Sequence, residues 1–214
     1  MATDLKKTRR KLDRREIEPE PAWDIARLFP PQGQWSEEDY FALDTNRLVE
    51  FSDGFIEVLP MPTTLHQLIA VFLLDAIRAF AKSVTPKLGT TLIASVPVRL
   101  WNNKFREPDI IFMLAEHASR IGEQYWDRAD LVMEVVSDKN RPHDIKKKRV
   151  EYARAGIPEY WIVDPKKETI TVLVLKGKQK TYTEFGTFKK GQRAASKLLP
   201  GFSVDVTEAL SQVP

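Results

Sequence analysis

The sequence predicts an α/β fold in which helices flank a mixed central β-sheet. Three observations carry that prediction. Leu131–Val136 (LVMEVV) is apolar at nearly every position, as expected of a strand covered on both faces. Between Thr64 and Lys82, the residues Leu65, Leu68, Ile69, Phe72, Leu73, Ala76 and Phe80 recur at helical spacing. Short strand-like runs precede this helix, follow it, and continue beyond a second, basic helix.

The elements follow in order. Pro19, Pro21, Pro30 and Pro31 mark residues 18–34 as a linker. With the basic residues before it, this makes 1–34 an arm and linker, and 35–214 the folded domain. Ser36 followed by Glu37, Glu38 and Asp39 starts a helix, because the hydroxyl caps it and the acids suit its N-terminal dipole. Arg47–Phe51 and Phe55–Leu59 flank Ser52, Asp53 and Gly54, a hairpin turn. Pro60 and Pro62 end the second strand. Thr91–Leu100 reads as one strand, bulged or at an edge because of Pro97. Asp109–Leu114 and Leu131–Val136 are strands. A helix runs from near Pro142 to Ala155 and is closed by Gly156. Glu159–Val163, Thr169–Leu175 and Tyr182–Phe188 are strands, and Val206–Gln212 is a closing helix. Tyr160 and Trp161 read as core, since Ile162 and Val163 continue the same apolar run.

Composition narrows the function classes. The chain has 214 residues, is 43% hydrophobic and carries a formal charge of +3. A core of useful size is affordable, which excludes wholesale disorder. There is no Cys, so disulfides, thiolate metal sites and thiol catalysis are excluded. The longest apolar run, Leu68–Ile77, is short for a membrane span and contains Asp75. No apolar signal-peptide core opens the chain, so a cytoplasmic protein without membrane attachment is expected. His66, His117 and His143 lack zincin spacing, and no glycine-rich loop for ATP or dinucleotides is present.

The charge is unevenly spread. Residues 1–17 hold seven Lys or Arg against three Asp or Glu, a net +4, leaving −1 for the rest. The arm fits either a solvated tail or an electrostatic contact to nucleic acid. Residues 107–138 sum to −6 and residues 139–154 to +5. An acidic stretch able to gather a metal, followed by a basic helix, suits the cutting of a polyanion.

Within that contrast, Glu134 is the most informative residue. A carboxylate inside a buried strand needs a cation, a proton or hydrogen-bond donors. Asp109, opening Asp-Ile-Ile-Phe-Met-Leu after Pro108, poses the same problem. Two such carboxylates on adjacent strands can share one hard cation. Lys148, on the following helix, is the candidate third component. Asp144 and Tyr152 lie four residues to either side and share its face. By spacing alone, Asp144 and Lys148 equally fit an ordinary surface pair. Lys146, Lys147 and Arg149 point elsewhere, towards solvent or phosphates.

These residues resemble the PD-(D/E)XK nuclease superfamily, and more closely its bacterial Uma-two branch of restriction-endonuclease-like proteins. The resemblance covers about Trp35 to Leu210. It rests on Leu48-Val-Glu-Phe-Ser-Asp-Gly54, Leu59-Pro-Met-Pro62 with His66, Glu107-Pro-Asp109, Met133-Glu-Val-Val-Ser137, Asp144 with Lys148, Tyr152-Ala-Arg-Ala-Gly156, and Glu159-Tyr-Trp-Ile-Val-Asp-Pro165. One departure stands out. The superfamily's lysine follows the glutamate by two residues, where this chain has Val136, and Lys148 matches the branch's displaced lysine.

The resemblance implies a restriction-endonuclease-like core and Mg²⁺-dependent hydrolysis of DNA phosphodiesters, with Mn²⁺ as a substitute. Asp109 and Glu134 would hold the metal, with the Val135 carbonyl as a further ligand. Lys148 would orient the nucleophile or offset developing charge. Glu50, His66 and Asp144 are expected as auxiliaries, and Lys146, Lys147 and Arg149 as DNA contacts. Removal of Glu134 is expected to leave the protein folded and to relieve a buried acid. A homodimer is expected for cutting both strands. The alternative is a non-catalytic DNA-binding or interaction domain that keeps the fold. A regulatory protein acting through the basic arm is a third reading.

Overall fold

A computed structural model describes residues 28–45, 47–84, 86–137, 143–177 and 179–213, with only the backbone of His143 and Asp144. The basic arm and most of the linker lie outside these residues.

Helix α1 (Glu37–Ala42) begins with a full capping box, in which Ser36 and Asp39 each accept the other's backbone N–H. Strands β1 (Val49–Ser52) and β2 (Phe55–Val58) form the expected hairpin. Asp53 and Gly54 have φ of 49° and 87°, the two left-handed residues of a tight hairpin turn. At Gly54 a Cβ would also meet the Gly33 carbonyl oxygen at 2.7 Å, so no other residue fits there.

Helix α2 (Thr64–Ser83) is capped by Thr63, whose side chain accepts the His66 N–H. It turns Ile69, Leu73 and Ile77 to the core, while Leu65 stays exposed. By length and apolarity alone this 20-residue helix could cross a bilayer. The short-run argument from sequence therefore understated it. Its apolar stripe is accounted for here by packing on the sheet.

The expected strand Thr91–Leu100 is two strands in different sheets, β3 (Gly89–Ile93) and β4 (Val98–Trp101). The chain turns between them at residues 94–97, where Pro97 withholds a ladder donor. Strand β5 (Lys104–Arg106) was not legible as a strand and follows at once. Next come β6 (Ile110–Leu114), a 3-10 turn (Ala115–Arg120), β7 (Trp126–Asp127) and β8 (Leu131–Val135). The basic helix α3 starts as a π-turn at His143–Lys148 and becomes α-helical over Arg149–Ala155. Gly156, at φ 81°, caps it. Strands β9 (Glu159–Asp164), β10 (Thr169–Leu175) and β11 (Tyr182–Lys189) lie where the sequence predicts them. A small pair, β12 (Arg193–Ala195) and β13 (Ser203–Asp205), precedes helix α4 (Val206–Leu210).

Among the described residues the central sheet runs β11-β10-β9-β8-β6-β3. It is mixed: β8 and β9 are parallel and joined through α3, while the other neighbours are antiparallel. A second sheet runs β2-β1-β5-β4-β7. One face of the central sheet buries Leu131, Met133 and Trp161 against α2. The other buries Val132, Val136, Tyr152 and Tyr160 between α3 and β4. Strand β8 is buried on both faces, and Glu134 lies on the α3 side, between Val132 and Val136.

Candidate active site

The β6–β8 ladder pairs Ile110 with Met133 and Ile111 with Val132. One further step of that register sets Asp109 across from Glu134. The Asp109 carboxylate accepts the Val135 N–H at 2.7 Å and lies 3.2 Å from His66 Nε2. Capping by Thr63 fixes the first turn of α2, and so fixes where His66 enters. Burial works against a charged imidazole. Even so, hydrogen bonding and charge from Asp109, the charge of Glu134 and a backbone contact to Val135 raise the His66 pKa. His66 is thus the group on which both carboxylates act.

Glu134 is 3% exposed, and its partners answer the cost of burying it. Lys148 Nζ donates to Oε1 at 2.9 Å, and the Tyr152 hydroxyl donates to the same oxygen at 2.5 Å. Lys148 ends the π-turn with right-handed helical backbone and caps the α-helical part of α3, so Tyr152, one turn on, lies on the same side. The Lys148 ammonium is buried, not at the surface, and reaches both Glu134 and Glu50, the latter at 3.3 Å. Of Asp144 only the backbone is described, so its auxiliary role lies outside the described side chains.

Glu50, expected as an auxiliary, is fully buried. It accepts Arg106 at 2.6 Å and the Glu107 N–H at 3.2 Å. Arg106 in turn makes a two-pronged contact to Glu151, at 2.7 and 2.9 Å. Lys104 reaches Glu151 at 2.7 Å. A continuous chain of alternating charge thus runs Glu134–Lys148–Glu50–Arg106–Glu151–Lys104. Sequence reasoning missed Arg106, Glu151 and Lys104. A signal did exist: β5 is an alternating strand, so Lys104 and Arg106 share the face opposite Phe105. The β1–β5 register, Phe51 with Phe105, places Arg106 beside Glu50. Without knowing that β5 is a strand, the pairing is invisible.

Lys146 and Lys147 are exposed, as expected of residues that face solvent or phosphate. Lys147 leans towards Glu57 at 3.7 Å. Arg149 is half-buried and donates weakly to the Tyr182 carbonyl at 3.4 Å.

Glu107 is buried, and its Oε2 has no hydrogen-bond partner among the described residues. Burial, with the charge of Glu50, pushes its pKa to about 7. An acid raised in the folded state takes up a proton that the unfolded chain has already released. Its contribution to stability is intact below about 4.5, and it falls as pH rises towards 7. Glu107→Gln should therefore match wild type near pH 4 and exceed it at pH 8, by about 3 kcal/mol. Urea unfolding at the two pH values reads this directly. Equal midpoints at pH 8 would mean that Glu107 is ionised at no cost.

No three or more His, Asp or Glu side chains form a metal-holding group among the described residues. The available donors are the two carboxylates and the Val135 carbonyl, hard oxygen ligands of the kind Mg²⁺ takes together with water and substrate phosphate. The observation that they suit a cation is the imidazole: Asp109 and the Val135 backbone favour its charged form at the place where they meet.

Comparison with known proteins supplies the context. Residues 37–207 match a family model, Uma2, described as "Putative restriction endonuclease". A crystal structure titled as a putative nuclease belonging to DUF820, from Anabaena variabilis ATCC 29413, shares the fold. Its TM-score is 0.67 at 15% identity, over 83% of this chain and 98% of that one. No curated protein matches.

Proposed function

Because the chain belongs to the Uma2 family, we propose that it is a metal-dependent endonuclease that hydrolyses DNA phosphodiester bonds. The observation that carries this reading is the cluster at one end of β6 and β8, where half-buried Asp109 lies beside buried Glu134 and buried Lys148. Two carboxylates and a lysine are more charge than a fold needs at that depth. Burying them costs several kcal/mol per ion before pairing compensates.

Asp109, Glu134 and the Val135 carbonyl would hold Mg²⁺ or Mn²⁺. The metal, when bound, polarises the phosphate and lowers the pKa of a bound water. The chain's own residues do the rest. Lys148 is held between Glu134 and Glu50, which aims its ammonium at the site and keeps it charged beside developing negative charge. Tyr152 fixes the Glu134 rotamer through its hydroxyl. Arg106 holds Glu50 in turn, so Lys148 has a rigid partner on the side away from the substrate. The basic helix surface around Lys146 and Lys147 would meet phosphates.

The test is nicking of supercoiled plasmid and of branched DNA, with Mg²⁺ or Mn²⁺ and with EDTA. Metal-dependent nicking supports the enzyme. Binding without cutting on every substrate supports the non-catalytic alternative.

The N-terminal arm makes a separate contribution. Its net +4 lies outside residues 37–207, so it should act electrostatically and without sequence preference. Deleting residues 1–17 is expected to lower DNA affinity roughly tenfold at low salt and to flatten the dependence of log Kd on log salt. Metal binding should be unchanged. An identical salt series for both proteins would show that the arm is only a tail.

A further inference from the structure

A groove on the far side of β5 from the carboxylates carries a second inference. Two adjoining cavities, of about 570 and 670 Å³, share Arg99 and Asp127 as a common wall. The first adds Trp101, Arg128, Arg154 and Lys180; the second adds Arg120 and Glu123. Five cations against two acids line one open surface. Because they are open and share a wall, they offer one extended basic surface that suits a chain-like ligand better than a compact one.

The cations are also pre-positioned. The Arg154 guanidinium lies 4.4 Å from the centre of the Trp101 ring, and Arg99 lies 4.9 Å from that of Tyr125. An arginine stacked on an aromatic face keeps its planar fork of donors in a fixed orientation and loses less freedom when it binds. Arg128, exposed at the rim, sits at φ 64°. Among the described residues Arg99 and Arg128 share Asp127 as counter-charge, at 3.6 and 3.7 Å, loose pairs that a phosphate can outcompete.

Helix α3 links the groove to the carboxylate cluster. Lys147, Glu151 and Arg154 form one stripe, contacting Glu57, Arg106 and Trp101 in turn. Arg154 lies six residues beyond Lys148, about 9 Å along the helix axis. That separation places the groove within a few nucleotides of the cluster along a bound strand.

We propose that this groove binds the sugar–phosphate backbone of a nucleic-acid strand, within a few nucleotides of the scissile phosphate. The inference rests on the nuclease reading for the second half of that statement, though not for the first. Recognition is of phosphate, by Arg99, Arg128, Arg154 and Lys180, and is independent of base sequence.

The experiment compares the full chain with Arg128→Gln/Arg154→Gln and with Trp101→Ala. Anisotropy of a labelled 20-nucleotide DNA is followed across a salt series in EDTA, so that nothing is cut. Hydrolysis of bis(p-nitrophenyl) phosphate with Mn²⁺, a diester too small to span the groove, is measured in parallel. The double variant should bind roughly tenfold more weakly, with the salt slope reduced by about 1.5. Trp101→Ala keeps every charge, so it should weaken binding a few-fold and leave the slope alone. Small-diester hydrolysis should be unaffected by either change. Arg128 and Arg154 are exposed, so the double variant should fold; Trp101 is half-buried against the core, so circular dichroism checks the fold of both proteins. An unchanged slope in a folded double variant overturns the groove. If DNA binding falls as expected while wild type hydrolyses no diester, the groove stands and the nuclease reading fails.

Discussion

Glu134→Ala is expected to reduce DNA cleavage on the order of 10³-fold or more while DNA binding stays within about threefold of wild type. The variant removes one of two carboxylates that would hold the metal at the reacting phosphate. It also removes the oxygen to which Lys148 and Tyr152 both donate. The arginines and lysines proposed to meet phosphates lie elsewhere and are untouched, so affinity should persist. Lys148→Ala should also cripple cleavage, by roughly 10²-fold, but with Mg²⁺ or Mn²⁺ binding retained. Calorimetric titration of the metal separates the two variants. If both cut supercoiled plasmid as well as wild type, the site is elsewhere. The structure also corrects one expectation. Glu134 was expected to be dispensable for stability, as an acid buried at a cost. In the fold it satisfies a buried hydroxyl and a buried ammonium, so the alanine variant should lose about 2 kcal/mol of stability. Glu134→Gln, which keeps an acceptor, should lose less and cleave no better.

Arg106→Met is expected to be the most destabilising single substitution in the network, costing about 3–5 kcal/mol. The guanidinium is fully buried and joins two carboxylates, Glu50 and Glu151, from different elements. Methionine fills much of the volume but leaves both acids with fewer partners. Lys104 still serves Glu151, and Lys148 still serves Glu50, which keeps the figure from growing further. The pH dependence identifies the cause. Burial raises the Glu151 pKa, but hydrogen bonds and charge from Arg106, then Lys104, outweigh it and bring the pKa below 4.5. A depressed acid contributes stability above its unfolded pKa and loses it as pH falls below. The gap between wild type and Arg106→Met should therefore narrow below about pH 4.5. Urea midpoints at pH 3.5 and 7 measure it. A gap that does not change with pH would mean that the loss is one of packing and not of charge.

The sequence by itself determined the α/β class, the two long helices, the three strands after α3 and the hairpin at Asp53 and Gly54. Each is governed by local rules: helical periodicity, left-handed turn residues and continuous apolar runs. It also singled out Asp109 and Glu134, because a charge in or beside an apolar run announces itself wherever the run folds, and Lys148 through its place on the helix that follows and the family resemblance. The pairing pattern is another matter, because it belongs to residues far apart in the chain. Lys104 and Arg106 sit in a three-residue strand too short to show a period. Only the β1–β5 register brings Arg106 to Glu50, and only the path of α3 brings Glu151 to Arg106. The break of Thr91–Leu100 into strands of two sheets was likewise hidden, since both halves carry strand-like residues and sheet membership is set by the partner. Tertiary structure alone therefore decided which buried charges meet, and that decision fixes where Lys148 points.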